Sequence, residues 1–194
     1  MRRDPLPGDY FPWITGALIL AGIVHLASIL LMPALASRDA FARLAALAPS
    51  NRLVLLPPPL PGREAIPLVD PQTATGVCRY DLREGPLRLQ ATVSGDSLLA
   101  ISFHQRRGQV FYAVTDRAAV RGRIDAVLVT PAQLDALEAG DPGEEPAPDL
   151  RLVSSTPEGY IVVRALAERP DDMRGAEARV MAVACNTESV PPAR

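Results

Sequence analysis

Leu87-Arg88-Leu89-Gln90-Ala91-Thr92-Val93, Leu98-Leu99-Ala100-Ile101-Ser102-Phe103-His104 and Val110-Phe111-Tyr112-Ala113-Val114-Thr115 follow one another and decide the fold. In the first run Leu87, Leu89, Ala91 and Val93 alternate with Arg88, Gln90 and Thr92, the period of a half-buried strand. The second and third runs are apolar at successive positions, which predicts central strands covered on both faces. Ser94-Gly95-Asp96-Ser97 and Gln105-Arg106-Arg107-Gly108 supply the turns.

Toward the C-terminus, Ile124 to Val129 reads as a further strand. Thr130-Pro131-Ala132-Gln133 then opens a helix with threonine at the cap, proline at the first helical position and glutamine completing a capping box. That helix ends at Gly140, and an acidic loop follows, DPGEEPAPD over 141–149. Leu150 to Ser154 and Tyr160 to Leu166 are predicted to form a hairpin across Thr156-Pro157-Glu158-Gly159. Met173, Ala176, Val180 and Val183 or Ala184 share a face of a closing helix over Asp171–Ala184. About six strands with short turns and two short helices make an α+β, antiparallel β-rich domain over residues 76–194.

Toward the N-terminus, Pro57-Pro58-Pro59-Leu60-Pro61-Gly62 marks an extended spacer. Before it, Ser37 can cap a helix from Arg38 to Ala48 that gathers Phe41, Leu44 and Leu47 or Ala48 on one face. Residues 33–75 are therefore expected to hold a juxtamembrane helix and a proline-rich linker. Ile14 to Met32, ITGALILAGIVHLASILLM, carries no charge. Nineteen residues at ~1.5 Å each span about 28 Å, close to the ~30 Å hydrocarbon core of a bilayer. Tyr10, Phe11 and Trp13 stand where an interfacial aromatic belt belongs, and Pro33 is expected to end the span. Met1-Arg2-Arg3 favours residues 1–13 on the cytoplasmic side, which puts the following domain in the periplasm of a bacterial inner-membrane, single-pass protein. Cleavage at Ala34-Leu35-Ala36 after a signal peptide is the alternative, and it leaves the domain in the same compartment. His25 lies mid-span, where a neutral histidine bonded to a carbonyl or a neighbouring helix outweighs a proton relay.

The net charge of -2 argues against a general affinity for nucleic acid. All 20 basic residues are arginine. Arg106, Arg107, Arg117, Arg121 and Arg123 could form an anion site, but Asp116 and Asp125 are interspersed, and a salt-bridged surface is the simpler reading. Cys78 and Cys185 bracket the domain, and in an oxidising compartment they make a structural disulfide. Without a third and fourth soft ligand no metal site is expected, and no phosphate loop or cofactor motif is present.

Gly95-Asp96-Ser97-Leu98 spells the GDSL string of a lipase and esterase family, yet no histidine follows His104 to serve as base. His104 is the only histidine outside the span and could pair with Ser102 on the same strand face or with Asp116, though a polar residue at a strand end is the simpler reading. Arg79, His104 and Tyr112 are the side chains expected to line a ligand pocket, if the domain has one.

Val77-Cys78-Arg79-Tyr80-Asp81-Leu82, Gly85-Pro86-Leu87 and Val110-Phe111-Tyr112-Ala113-Val114-Thr115-Asp116 carry a resemblance. With the single span before them, the chain resembles small bacterial integral membrane proteins related to the domain-of-unknown-function family 1254. The resemblance implies a sandwich-like scaffold and a second small membrane-anchored protein as partner, and it carries over no catalytic residue. Together these readings predict a non-catalytic interaction or assembly subunit of the envelope. A small-molecule-binding or hydrolytic periplasmic domain is the alternative.

Overall fold

The computed structural model describes residues 10–35, 39–60, 62, 66, 69–93, 98–140 and 149–188. Ser37, the turn over 94–97 with its GDSL serine, and acidic residues 141–148 lie outside them. The chain forms two compact units, residues 1–37 and 38–194.

The first unit is a helix, α1 (Phe11–Leu35), exposed along its described side chains. Its stretch Phe11–Met32 is long and apolar enough to cross a membrane. The Thr15 and Ser28 hydroxyls donate to the carbonyls of Phe11 and Val24, at 2.9 and 2.7 Å. Both polar groups are thereby satisfied inside the helix, as a hydrocarbon environment requires. Pro33 does not end the helix, which runs on to Leu35.

The second unit is an α+β sandwich of nine strands and three helices among the described residues. One sheet has the order β1 (Arg52–Leu55), β2 (Thr73–Asp81), β8 (Glu158–Leu166), β4 (Leu99–Gln105), β5 (Val110–Thr115), all antiparallel. The other has the order β7 (Leu150–Val153), β6 (Arg123–Val129), β3 (Leu87–Thr92), β9 (Ala184–Thr187). The alternation read in the first run holds: Leu87, Leu89 and Ala91 of β3 are buried against Cys78, Ile101, Phe103, Ile161 and Val163 of the facing sheet. Helix α4 (Met173–Met181) adds Ala176 and Val180 to this core and packs on β1, β2 and β8. Val180 lies so near Gly76 that a side chain there would collide with it.

Helix α3 (Pro131–Gly140) starts as its capping box predicts. The Gln133 N–H donates to Thr130 Oγ1 at 3.3 Å, and the Thr130 N–H to Gln133 Oε1 at 2.9 Å. This helix carries the chain across so that β7 runs parallel to β6, the one parallel pair described.

Several expectations are corrected. The domain boundary expected at residue 76 falls inside β2, and β1, placed in the linker by its neighbouring prolines, is part of the sheet. The hairpin of 150–154 with 160–166 does not form, because β7 and β8 belong to different sheets. Ser154, buried at the crossing, is held by Tyr80 Oη at 3.1 Å and donates to the Thr156 carbonyl at 2.7 Å. The closing helix stops at Met181, and Ala184 pairs with Gln90 in β9. Helix α2 is shorter than predicted (Ala40–Ala45), and Asp39 caps it, accepting from the Ala42 N–H at 2.8 Å. The run Val110–Thr115 is an edge strand, not a central one.

Candidate functional site

The outer face of the five-stranded sheet carries a row set by register: Arg79 on β2 opposite Tyr160 on β8, and Tyr160 opposite His104 on β4. The His104 and Tyr160 rings stack at 4.7 Å, 11° from parallel. The Gly108 carbonyl lies 3.2 Å from His104 Nδ1, and a carbonyl only accepts, so Nδ1 carries the proton. Nε2 is then the acceptor for the Ser102 hydroxyl at 2.9 Å. Burial depresses the His104 pKa; the Gly108 hydrogen bond opposes that, and the charge of Arg164 adds to it.

The pairing of Ser102 with His104 has the contact of a nucleophile and its base, but the setting denies it the rest. Ser102 is in mid-strand, with β8 on one side and β5 on the other, so the backbone N–H groups around it are committed to the ladders. No cluster of donors is free to hold a developing oxyanion there.

Arg79 is committed in part, since its buried Nε has no hydrogen-bond partner among the described residues. Its Nη1 donates to the Ala48 carbonyl at 3.0 Å, and its guanidinium lies 4.8 Å from the centre of the Phe41 ring. Arg106 covers the same ring at 4.1 Å and pairs with Asp39 at 2.7 Å. Burial pushes the Asp39 carboxyl up, but the Ala42 N–H and Arg106 outweigh it and hold the pKa below the usual carboxylate range. Phe41, Leu44, Leu56, Val77, Tyr160 and Val162 form a second small core beneath α2. This corner fastens the helix that follows Asp39 to the sheet.

Tyr112 points the other way. It faces Phe103 edge-on at 6.1 Å and packs against the inter-sheet core. The structure therefore joins Arg79 and His104 through Tyr160 but separates both from Tyr112. His25, Ile14 and Met32 lie on α1 and are exposed.

Tyr112 instead lines an open groove of about 630 Å³ at the side of the sandwich, with Val114, Val120, Arg121, Arg123, Ile124 and Leu150 among its walls. The groove exists because the sheets do not cover each other there. Leu150 shares the inward face of β7 with buried Leu152, as their partners Ala126 and Leu128 share it on β6, yet Leu150 is 36% exposed. Val120 is 73% exposed beside it. Above the groove runs β5, whose second edge pairs with no strand among those described and whose six residues, VFYAVT, include no charge and no proline. Natural sheets usually guard such an edge with charge, proline or a bulge, and β5 has the last of these: its register with β4 shifts between Phe103 and His104, which leaves Phe111 as the extra residue. Arg121 and Arg123, both exposed, have no carboxylate partner among the described residues, whereas Asp125 is taken by Arg88 at 3.1 Å. Sequence reasoning grouped these arginines but missed the groove, since β5 reads as a central strand until its neighbours are known.

The remaining sequence-derived site is the disulfide. Cys78 of β2 is bonded to Cys185 of β9, which ties one sheet to the other through the core. Among the described residues no group of three or more His, Cys, Asp or Glu side chains could hold a metal ion.

The sequence profile described as "Protein of unknown function (DUF1254)" matches residues 50–186. The matched segment thus includes β1 and excludes α1. No curated protein sequence matches the chain. Among solved structures, the chain is similar to the VPA0106 protein from Vibrio parahaemolyticus, with 12% identity and a TM-score of 0.52 over 78% of this chain and 35% of that one. It is also similar to an uncharacterized protein from Burkholderia cenocepacia, with 13% identity and a TM-score of 0.40 over 60% of this chain and 32% of that one. The first likeness concerns the fold alone. The chain spans about a third of the length of each of these proteins.

Proposed function

The chain belongs to the DUF1254 family of proteins of unknown function, and from that premise we propose that it is a membrane-tethered interaction subunit of the bacterial envelope. In this reading α1 anchors the chain in the inner membrane with its N-terminus in the cytoplasm, and the sandwich works in the periplasm. The uncharged Phe11–Met32 stretch with its internally bonded hydroxyls supports the anchor. The disulfide between the sheets suits an oxidising compartment. The interaction role rests on one observation: an unpaired β5 edge, uncharged and bulged only at Phe111, above an open groove with apolar walls. The partner is a second membrane-anchored protein, whose effective concentration a shared bilayer raises.

One observation favours a hydrolytic role instead, the Ser102–His104 hydrogen bond. The two readings separate in one experiment on the intact chain extracted from membranes in detergent. Affinity capture is expected to co-purify a membrane protein, and a fluorophosphonate is expected to leave Ser102 unlabelled. A monomer that captures nothing, with Ser102 labelled, would replace the interaction role by the hydrolytic one.

A further inference from the structure

The groove and the edge above it define the chemistry of what fits them, and this inference rests on the interaction role just described. Three features lie together. The edge of β5 away from β4 pairs with no strand among those described, and past the bulge at Phe111 it offers a regular row of backbone N–H and C=O groups over Tyr112–Thr115. Below it Val120 and Leu150 expose apolar surface that neither sheet covers. At the groove wall, Arg121 and Arg123 present guanidinium groups with no carboxylate partner among the described residues.

We propose that β5 receives an extended segment of the partner protein as a sixth strand, and that this segment is apolar on alternate residues and acidic where it meets Arg121 and Arg123. An added strand satisfies the open backbone groups, which gives affinity. Its residues alternate between the two faces, so every second side chain points toward Val120 and Leu150 and removes their exposed surface from water. Carboxylates at the end of the strand meet the two arginines, which a planar guanidinium binds in paired hydrogen bonds. Charge thereby sets direction and register, which a bare β edge leaves loose.

The test uses the intact chain in detergent and a fluorescent synthetic peptide of alternating valine and threonine ending in glutamates, with a lysine-ended peptide as control. The glutamate peptide is expected to bind about tenfold tighter than the lysine one, a difference of about 1.4 kcal/mol. The double substitution Arg121→Glu and Arg123→Glu, at exposed positions, is expected to reverse that order. Ala113→Lys, on the exposed side of β5, is expected to weaken both peptides. Equal binding of the two peptides, or an order unchanged by the arginine substitutions, would overturn the proposal. So would binding of phosphatidylglycerol vesicles through Arg121 and Arg123 without binding of peptide, which would make the arginines a lipid site. A partner captured equally well by the wild-type and arginine-substituted chains would leave the interaction role standing and remove this inference. Failure to capture any partner, with the peptide preference intact, would do the reverse.

Discussion

His104 is held by three neighbours at once: Tyr160 stacked on its face, Gly108 accepting from Nδ1, and Ser102 donating to Nε2. Burial depresses its pKa below the ordinary value of about 6.5, with the Gly108 hydrogen bond opposing and the charge of Arg164 adding to it. The sign of the pH effect follows. Below about pH 6.5 the unfolded chain takes up a proton that the folded chain resists, so stability falls as pH falls through the folded pKa. Above that range both states are neutral at this residue and it has no influence. Urea unfolding of the wild type and of His104→Gln is expected to show a flatter pH dependence for the variant as pH falls below about 6.5. Identical slopes would remove burial of His104 as a cause. Gly159 is as constrained as the histidine, because a side chain there would strike the Tyr80 ring and the His104 carbonyl.

Helix α2 shows how an element too short to stand alone is made stable. Six residues cannot sustain a helix in water. Asp39 caps it, and Phe41 and Leu44 drive its burial against Val77, Tyr160 and Val162. Phe41 is 6% exposed and lies between the guanidiniums of Arg79 and Arg106. Phe41→Ala is therefore expected to cost about 3–5 kcal/mol in chemical denaturation. Leu47→Ala, at a solvent-exposed position, is expected to change stability by about 0.5 kcal/mol or less. Comparable losses in the two variants would show that α2 is not anchored through Phe41. Spacing had left Leu47 and Ala48 as alternatives for the buried face; Ala48 is the buried one.

For the whole molecule, the decisive link is covalent. Cys78 and Cys185 are separated by 107 positions and join β2 to β9, so the bridge closes nearly the entire sandwich into one loop. In the chain-entropy account a loop of about that length is worth up to ~4.7 kcal/mol. Reduction, or the double substitution Cys78→Ser and Cys185→Ser, is expected to lower the unfolding free energy by about 2–5 kcal/mol. An unchanged urea midpoint under reducing conditions would mean that the core alone fixes the two sheets.

Local signals determined much of this protein. The uncharged run in α1, the alternation in β3, the capping box at Thr130 and the placement of the two cysteines each act over a few residues or one bond, and each was legible before any fold was known. The resemblance to the DUF1254 family was legible too, in strings such as Val77–Leu82 that form the middle of β2 and the turn after it. What local reading could not supply was adjacency. A run such as VFYAVT is apolar at each position except the last whether it lies in the centre of a sheet or at its edge, and only the strand order assigns it to the edge. The same limit hid β1, whose partner β2 follows a proline-rich stretch, and it produced a false hairpin from β7 and β8, which are close in sequence but belong to different sheets. Strand pairing is decided by which faces the whole core must cover. The groove beside Tyr112, with its exposed Leu150 and two arginines that have no carboxylate partner among the described residues, is where that covering stops, and the tertiary structure alone puts it there.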